Sequence, residues 1–187
     1  MSDIASVSAD GLTKMNKAVD VAKEDLASIR TGRAHPSLFN KVIVDYYGAP
    51  TSLNQLASVQ VPEARVAIIN PFDKGAMSSI EKALRESDLG INPSNDGVSI
   101  RINFPQLTEE RRKEYIKLAK SKGEDAKVSI RNIRRSVKEA LEKMEKDGII
   151  SKDDLARAEK DLEKVTGEHT AKIDELLKHK EAELLEV

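Results

Sequence analysis

Residues 108–146 read TEERRKEYIKLAKSKGEDAKVSIRNIRRSVKEALEKMEK, with no proline. Ile116, Ala119, Gly123, Ala126, Ile130, Ile133, Val137, Ala140 and Met144 alternate here at three and four residues for four heptads. A mean spacing of 3.5 keeps these side chains on one helix face and predicts a seam packed in coiled-coil style. Thr108 is placed as an N-cap, and Glu109 and Glu110 occupy the first turn, where the helix dipole favours carboxylates. Asp147-Gly148 marks the end. Such a helix would be about 58 Å long at 1.5 Å per residue.

The flanking sequence repeats the pattern. Ser151 and Asp154 form a capping box for a following helix that carries Leu155, Ala158, Leu162, Val165, Ile173, Leu176 and Leu184. Near the start, Leu12, Met15, Val19, Ala22, Leu26 and Ile29 recur at the same three-four spacing. Three helices with one apolar stripe each predict an antiparallel three-helix bundle built from residues 1–30 and 106–187.

Residues 31–105 are of another kind. They hold all six prolines, five of nine glycines and five of six aromatics, yet only 14 of 75 residues are charged. Lys41–Tyr46, Ser58–Val61, Arg65–Ile69 and Val98–Phe104 read as strands, with Asn95-Asp96-Gly97 a turn before the last. Met77, Ile80 and Leu84 place one amphipathic helix at about Gly75–Ser87. The expected fold class is α+β: an elongated helical rod with a small β/α/β domain inserted through two connections.

Composition removes several functions. The 187 residues include no cysteine, which excludes disulfides, thiolate nucleophiles and Cys-ligated metals. No apolar run nears the ~20 residues needed to span a bilayer. The start, Met-Ser-Asp, has no basic leader pattern, so a cytoplasmic protein is expected. Phosphate-loop, nucleophile-elbow and zinc-protease motifs are missing. His35, His169 and His179 are scattered; His179 and Glu183 share a helix face but lack a third ligand, and His169 lies near its helix seam. No catalytic residue, metal or cofactor is expected, and the chain reads as a non-enzyme.

Charge patterning is more informative than the formal net charge of −1. Residues 111–135 hold ten basic and three acidic side chains, whereas 136–187 hold ten basic and fifteen acidic. Lys113, Lys117, Lys120, Lys127, Arg131, Arg134 and Lys138 lie on one stripe interrupted only by Glu124, and Arg135 widens it. Two readings stand. One is a solvated coiled-coil flank, partly neutralised by acids of the neighbouring helix. The other is a surface for nucleic-acid backbone, favoured by the near-single sign and by arginines suited to bidentate phosphate contacts. No aromatic interleaves the stripe, which points to structured RNA rather than stacked single-stranded bases.

Several stretches also resemble one family along nearly the whole chain. They are Ile29-Arg-Thr-Gly-Arg-Ala34, Asp45-Tyr-Tyr-Gly48, Gln55-Leu-Ala-Ser-Val59, Ser87-Asp-Leu-Gly-Ile-Asn-Pro93, Leu107-Thr-Glu-Glu-Arg-Arg-Lys113, Arg131-Asn-Ile-Arg-Arg135 and Lys180-Glu-Ala-Glu-Leu184. The chain resembles the bacterial ribosome recycling factors. That resemblance implies an L-shaped molecule, similar in outline to transfer RNA, whose bundle is joined to the β/α/β domain by a two-stranded hinge. It implies a monomer that binds large-subunit ribosomal RNA of the post-termination ribosome. There it acts with elongation factor G, which hydrolyses the GTP, to release the subunits. The family's arginine-rich motif maps onto Arg131, Arg134 and Arg135. Its hinge maps onto Arg30, Thr31, Gly32 and Arg33 and onto Phe104, Pro105, Gln106, Leu107 and Thr108. Where the family often has two adjacent prolines, this chain has Pro105-Gln106, so a looser hinge is expected. The competing expectation from a different class is a coiled-coil adaptor that binds a protein through its acidic third helix.

Overall fold

The computed structural model describes residues 3–186. The chain divides into two compact units, residues 1–26 with 118–179 and residues 27–117 with 180–187.

Three long helices, α1 (Ile4–Ala27), α4 (Glu109–Lys146) and α5 (Lys152–Leu185), supply the first unit, except for Ala27, residues 109–117 of α4 and residues 180–185 of α5, which belong to the second. Met15 and Ala22 of α1, Ala126 and Ile130 of α4 and Ile173 of α5 share one core. Val137, Leu141, Met144 and Ala158 form a second, against which Ile4 and Val7 pack. Gly11 faces Val137 while Met15 and Ala22 share a core with Ala126 and Ile130, and Lys127 meets Asp174 while Lys138 meets Glu159, so α4 runs antiparallel to both α1 and α5. Heptad spacing therefore locates the bundle, with displacements of one residue: on α4 the expected Ala140 is half-buried and Leu141 is buried in its place. Leu12, expected on the α1 seam, is 41% exposed, and Gly11 is buried in its place. A helix of 3.6 residues per turn drifts about 20° per heptad from a 3.5 repeat. The contact thus passes to the neighbouring residue, and glycine lets the two backbones close in.

The turn between α4 and α5 follows from its residues. Gly148 sits at φ 72°, its N–H bonds to the Glu145 carbonyl, and the Ile149 N–H reaches back to Met144 at 2.8 Å. This reciprocal pair is the Schellman ending that a left-handed glycine permits. Ser151 Oγ then accepts from the Asp154 N–H at 3.0 Å, and Asp154 Oδ2 accepts from the Ser151 N–H at 3.3 Å. At the other end, Thr108 Oγ1 caps α4 by accepting from the Arg111 N–H at 3.1 Å.

The second unit contains the β-structure. Strands β1 (Ile43–Tyr46) and β2 (Ala49–Ser52) form an antiparallel hairpin, followed by the one-turn helix α2 (Leu53–Leu56). Strands β3 (Ala57–Glu63), β4 (Val66–Pro71), β5 (Pro93–Asn95) and β6 (Ile100–Asn103) make an antiparallel sheet in the order β3-β4-β6-β5. Helix α3 (Met77–Glu86) packs Ile80 and Leu84 into a core with Phe39, Leu53, Ile69, Ile100 and Ile102. The four expected strands correspond to β1, β3, β4 and β6, and the expected helix to α3. Strands β2 and β5 were not anticipated. Each carries a proline and neither alternates apolar with polar residues, which suits short edge strands.

Candidate nucleic-acid interface

The basic stripe lies on α4, and the structure sorts its members by what they touch. In the first unit, Lys127, Arg134 and Lys138 lean toward α5. Lys127 Nζ pairs with Asp174, Arg134 Nη1 meets Glu163 Oε1 at 3.0 Å, and Lys138 Nζ lies 3.9 Å from Glu159 and 3.7 Å from Glu142. Their steps of seven and four residues carry them along one flank of the helix. Arg131 and Arg135 make no ion pair with α5 among the described residues. Arg131 is exposed and bonds along its own helix to Glu124 at 3.1 Å. Arg135 is exposed and makes no ion pair with any described residue. Lys120 is also exposed. Three of the eight stripe residues are thus met by acids that α5 brings alongside.

Lys113 and Lys117 stand on the part of α4 that belongs to the second unit, and both are exposed. Lys113 pairs with Glu109 at 3.0 Å, one turn earlier. Such exposed pairs are worth only about 0–1 kcal/mol. They hold the side chains loosely and leave them free to exchange a carboxylate for a phosphate.

The residues expected at the hinge all belong to the second unit. Arg30 is only 6% exposed; its guanidinium lies 5.4 Å from the centre of the Phe104 ring and donates Nη2–H to the Pro105 carbonyl. Burial draws the Arg30 pKa below its ordinary value, against the opposing influence of Tyr115. Phe104 meets Phe39 edge-on at 6.1 Å, and its N–H bonds to the Arg65 carbonyl. Thr31 is buried and accepts from the Arg33 N–H at 3.3 Å, whereas Gly32 is half-buried. Pro105, Gln106 and Thr108 are exposed, and Leu107 is buried. Arg30 therefore ties the first of the two expected segments to the second.

Two buried polar groups on α5 belong to this picture. His169, expected near the seam, is 2% exposed, with Nδ1 2.7 Å from the Val165 carbonyl and Nε2 2.7 Å from Asn16 Oδ1. Lys180 was missed. It is 6% exposed beside Glu183 at 3.5 Å, and burial lowers its pKa. Its position seven residues after Ile173 and four before Leu184 was the available signal. Among the described residues no group of three or more His, Asp or Glu could hold a metal, and no helix is long and apolar enough to cross a membrane.

A family model described as ribosome recycling factor matches residues 22–185. The chain belongs to the ribosome recycling factor family. The ribosome-recycling factor of Streptomyces coelicolor is 65% identical over 174 residues, covering 93% of this chain and 94% of that protein. That of Saccharopolyspora erythraea is 58% identical over 178 residues, covering 95% and 96%. A solution structure of the ribosome recycling factor superposes over the full length of both chains, with a TM-score of 0.78 at 36% identity. A second structure matches 99% of this chain with a TM-score of 0.70 at 42% identity, covering all of its own chain. Its description is of the Thermus thermophilus factor and Escherichia coli elongation factor G on the E. coli post-termination complex.

Proposed function

We propose that this chain binds the post-termination ribosome through large-subunit ribosomal RNA and, with elongation factor G and GTP, dissociates it into subunits for a new round of translation. The observation that carries this reading is the end-to-end match to a recycling factor described on that complex with that partner. Arg131, Arg134, Arg135, Lys113, Lys117, Lys120, Lys127 and Lys138 are the phosphate-binding residues in this reading. Their shared charge on one helix supports the assignment, as does the exposure of Lys113, Lys117, Lys120, Arg131 and Arg135, while Lys127, Arg134 and Lys138 are half-buried beside α5. Arg30–Arg33 and Phe104–Thr108 form the hinge, between a bundle of residues 1–30 and 106–187 and a domain of residues 31–105. The protein is a cytoplasmic monomer and not an enzyme: it is a mechanical partner, and the GTP is hydrolysed by elongation factor G. The adaptor reading has no support in the family match.

Two measurements test this. Light scattering should show post-termination ribosomes splitting when the chain, elongation factor G and GTP are all present, and not when any one is left out. Co-sedimentation with large subunits should weaken with rising salt. Arg131→Ala should lower affinity at every salt concentration and flatten the log–log slope by roughly 0.7–0.9, the contribution of one phosphate contact. A chain that does not pellet with large subunits would be an adaptor; unchanged binding in Arg131→Ala and Arg134→Ala would leave the stripe a solvated flank.

A further inference from the structure

The acids that meet the stripe form a row of their own. Asp174, Glu163 and Glu159 on α5 stand opposite Lys127, Arg134 and Lys138 on α4, in antiparallel order. Steps of eleven and four residues keep the three acids on one flank of α5. Asp174 and Glu163 are more than half exposed, at 55% and 64%, so the same water that would carry a phosphate to the cations also reaches the acids. Lys127 and Arg134 are themselves only 21% and 34% exposed, but with the carboxylates open to water each pair is screened and adds only modestly to bundle stability. A flank serving solubility alone would mix signs along each helix. Here the three cations that face α5 are met by three acids that face α4, and the negative row borders the positive one.

An incoming phosphate therefore meets two demands at Arg134. It must displace Glu163 from the guanidinium, and it must then sit within a Debye length, about 8 Å at physiological salt, of the displaced carboxylate. Arg131 faces the same exchange only with Glu124 of its own helix, and Arg135, with no ion pair among the described residues, has no carboxylate to displace. We propose that Glu159, Glu163 and Asp174 are an internal competitor for RNA phosphate, which weakens the grip of Lys127, Arg134 and Lys138 and keeps binding reversible. The proposal rests on the reading of the stripe as the RNA-binding surface and adds that its affinity is held below what its cations could deliver. A factor that must leave the ribosome each cycle gains from that restraint.

The test uses the full chain and isolated large ribosomal subunits, in co-sedimentation across a potassium chloride series. Glu163→Gln and Asp174→Asn keep size and hydrogen-bonding capacity while removing the charge, and circular dichroism melting confirms that each stays folded. Each should bind about two- to five-fold tighter at low salt, the range equivalent to an exposed ion pair. Each salt slope should steepen by roughly 0.7–0.9 as a freed cation gains a phosphate. The gain in Glu163→Gln should vanish when Arg134→Gln is added. Weaker binding in the two neutral variants would mean that the acids orient the cations, and would overturn the proposal. Unchanged binding there, with Arg134→Ala still weakened, would also overturn it while leaving the RNA-binding surface standing. A gain that survives without Arg134 would reduce the effect to general electrostatics and overturn the competition. If Arg131→Ala and Arg134→Ala both bind normally, the RNA reading itself falls and this inference with it.

Discussion

An alanine at Gly11 would place its Cβ 2.6 Å from Cγ2 of Val137, closer than packed atoms tolerate. An alanine at Gly167, inside α5, would meet nothing within 4 Å. Both changes gain about 1 kcal/mol of helix propensity. At Gly11 the gain is outweighed by overpacking, which costs about 1–3 kcal/mol. Urea unfolding should therefore give a lower midpoint for Gly11→Ala and a higher one for Gly167→Ala, at unchanged slope. Lys180 supports a second prediction at this scale. Burial holds its folded pKa below the ordinary 10.5, so between those two values the unfolded chain binds more protons and stability rises with pH. Lys180→Met should remove that alkaline increment and be the more stable chain at neutral pH, in melts collected from pH 7 upward. Sequence patterning located the seam on which His169 and Lys180 lie, but residue type concealed the lysine. A charged group in a seam reads as a flank until burial is seen. The exchange of Leu12 for Gly11 was hidden for a different reason: apolar character marks a stripe, whereas close backbone approach selects for absence of a side chain.

Among the elements, helix ends and turns were the most legible, because their signals are local. Thr108, Gly148 and the Ser151–Asp154 pair each act within three or four residues of themselves, so sequence and structure describe the same atoms. Strands β2 and β5 depend instead on partners, and their register with β1 and β6 is decided by the hairpin and the sheet. The capping box at α5 supplies the prediction for this scale. The side-chain hydrogen bond from Ser151, then its backbone bond, holds the Asp154 pKa below the ordinary 3.8. Its stabilisation is complete above 3.8 and is lost as pH falls through the lower, folded value. Ser151→Ala should cost about 1 kcal/mol at neutral pH. Melting curves for the parent chain and Asp154→Ala, well separated at neutral pH, should converge as the solution is made more acidic than the folded pKa.

For the whole molecule, the decisive quantity is where charge lies rather than its sum. A net of −1 predicts little attraction to a polyanion, yet residues 111–135 carry an excess of seven positive charges. The stripe was legible because one helix carries it. The acids opposite were not, since pairing Arg134 with Glu163 requires the register between α4 and α5, and no spacing within either helix encodes that. Local fields govern association where opposite charges are separated by more than the screening length. Two double variants distinguish local from total charge. Lys82→Gln with Arg85→Gln changes α3, and Arg131→Gln with Arg135→Gln changes the stripe; both lower the net charge by the same amount. The α3 cations already sit one turn from Glu86 and Glu81, so their loss alters little beyond their own helix. If total charge controlled ribosome binding, the two proteins would lose affinity equally. The expected outcome is that the α3 variant keeps the parent affinity and salt slope, while the stripe variant weakens and its slope falls by roughly 1.4–1.8, the share of two phosphate contacts.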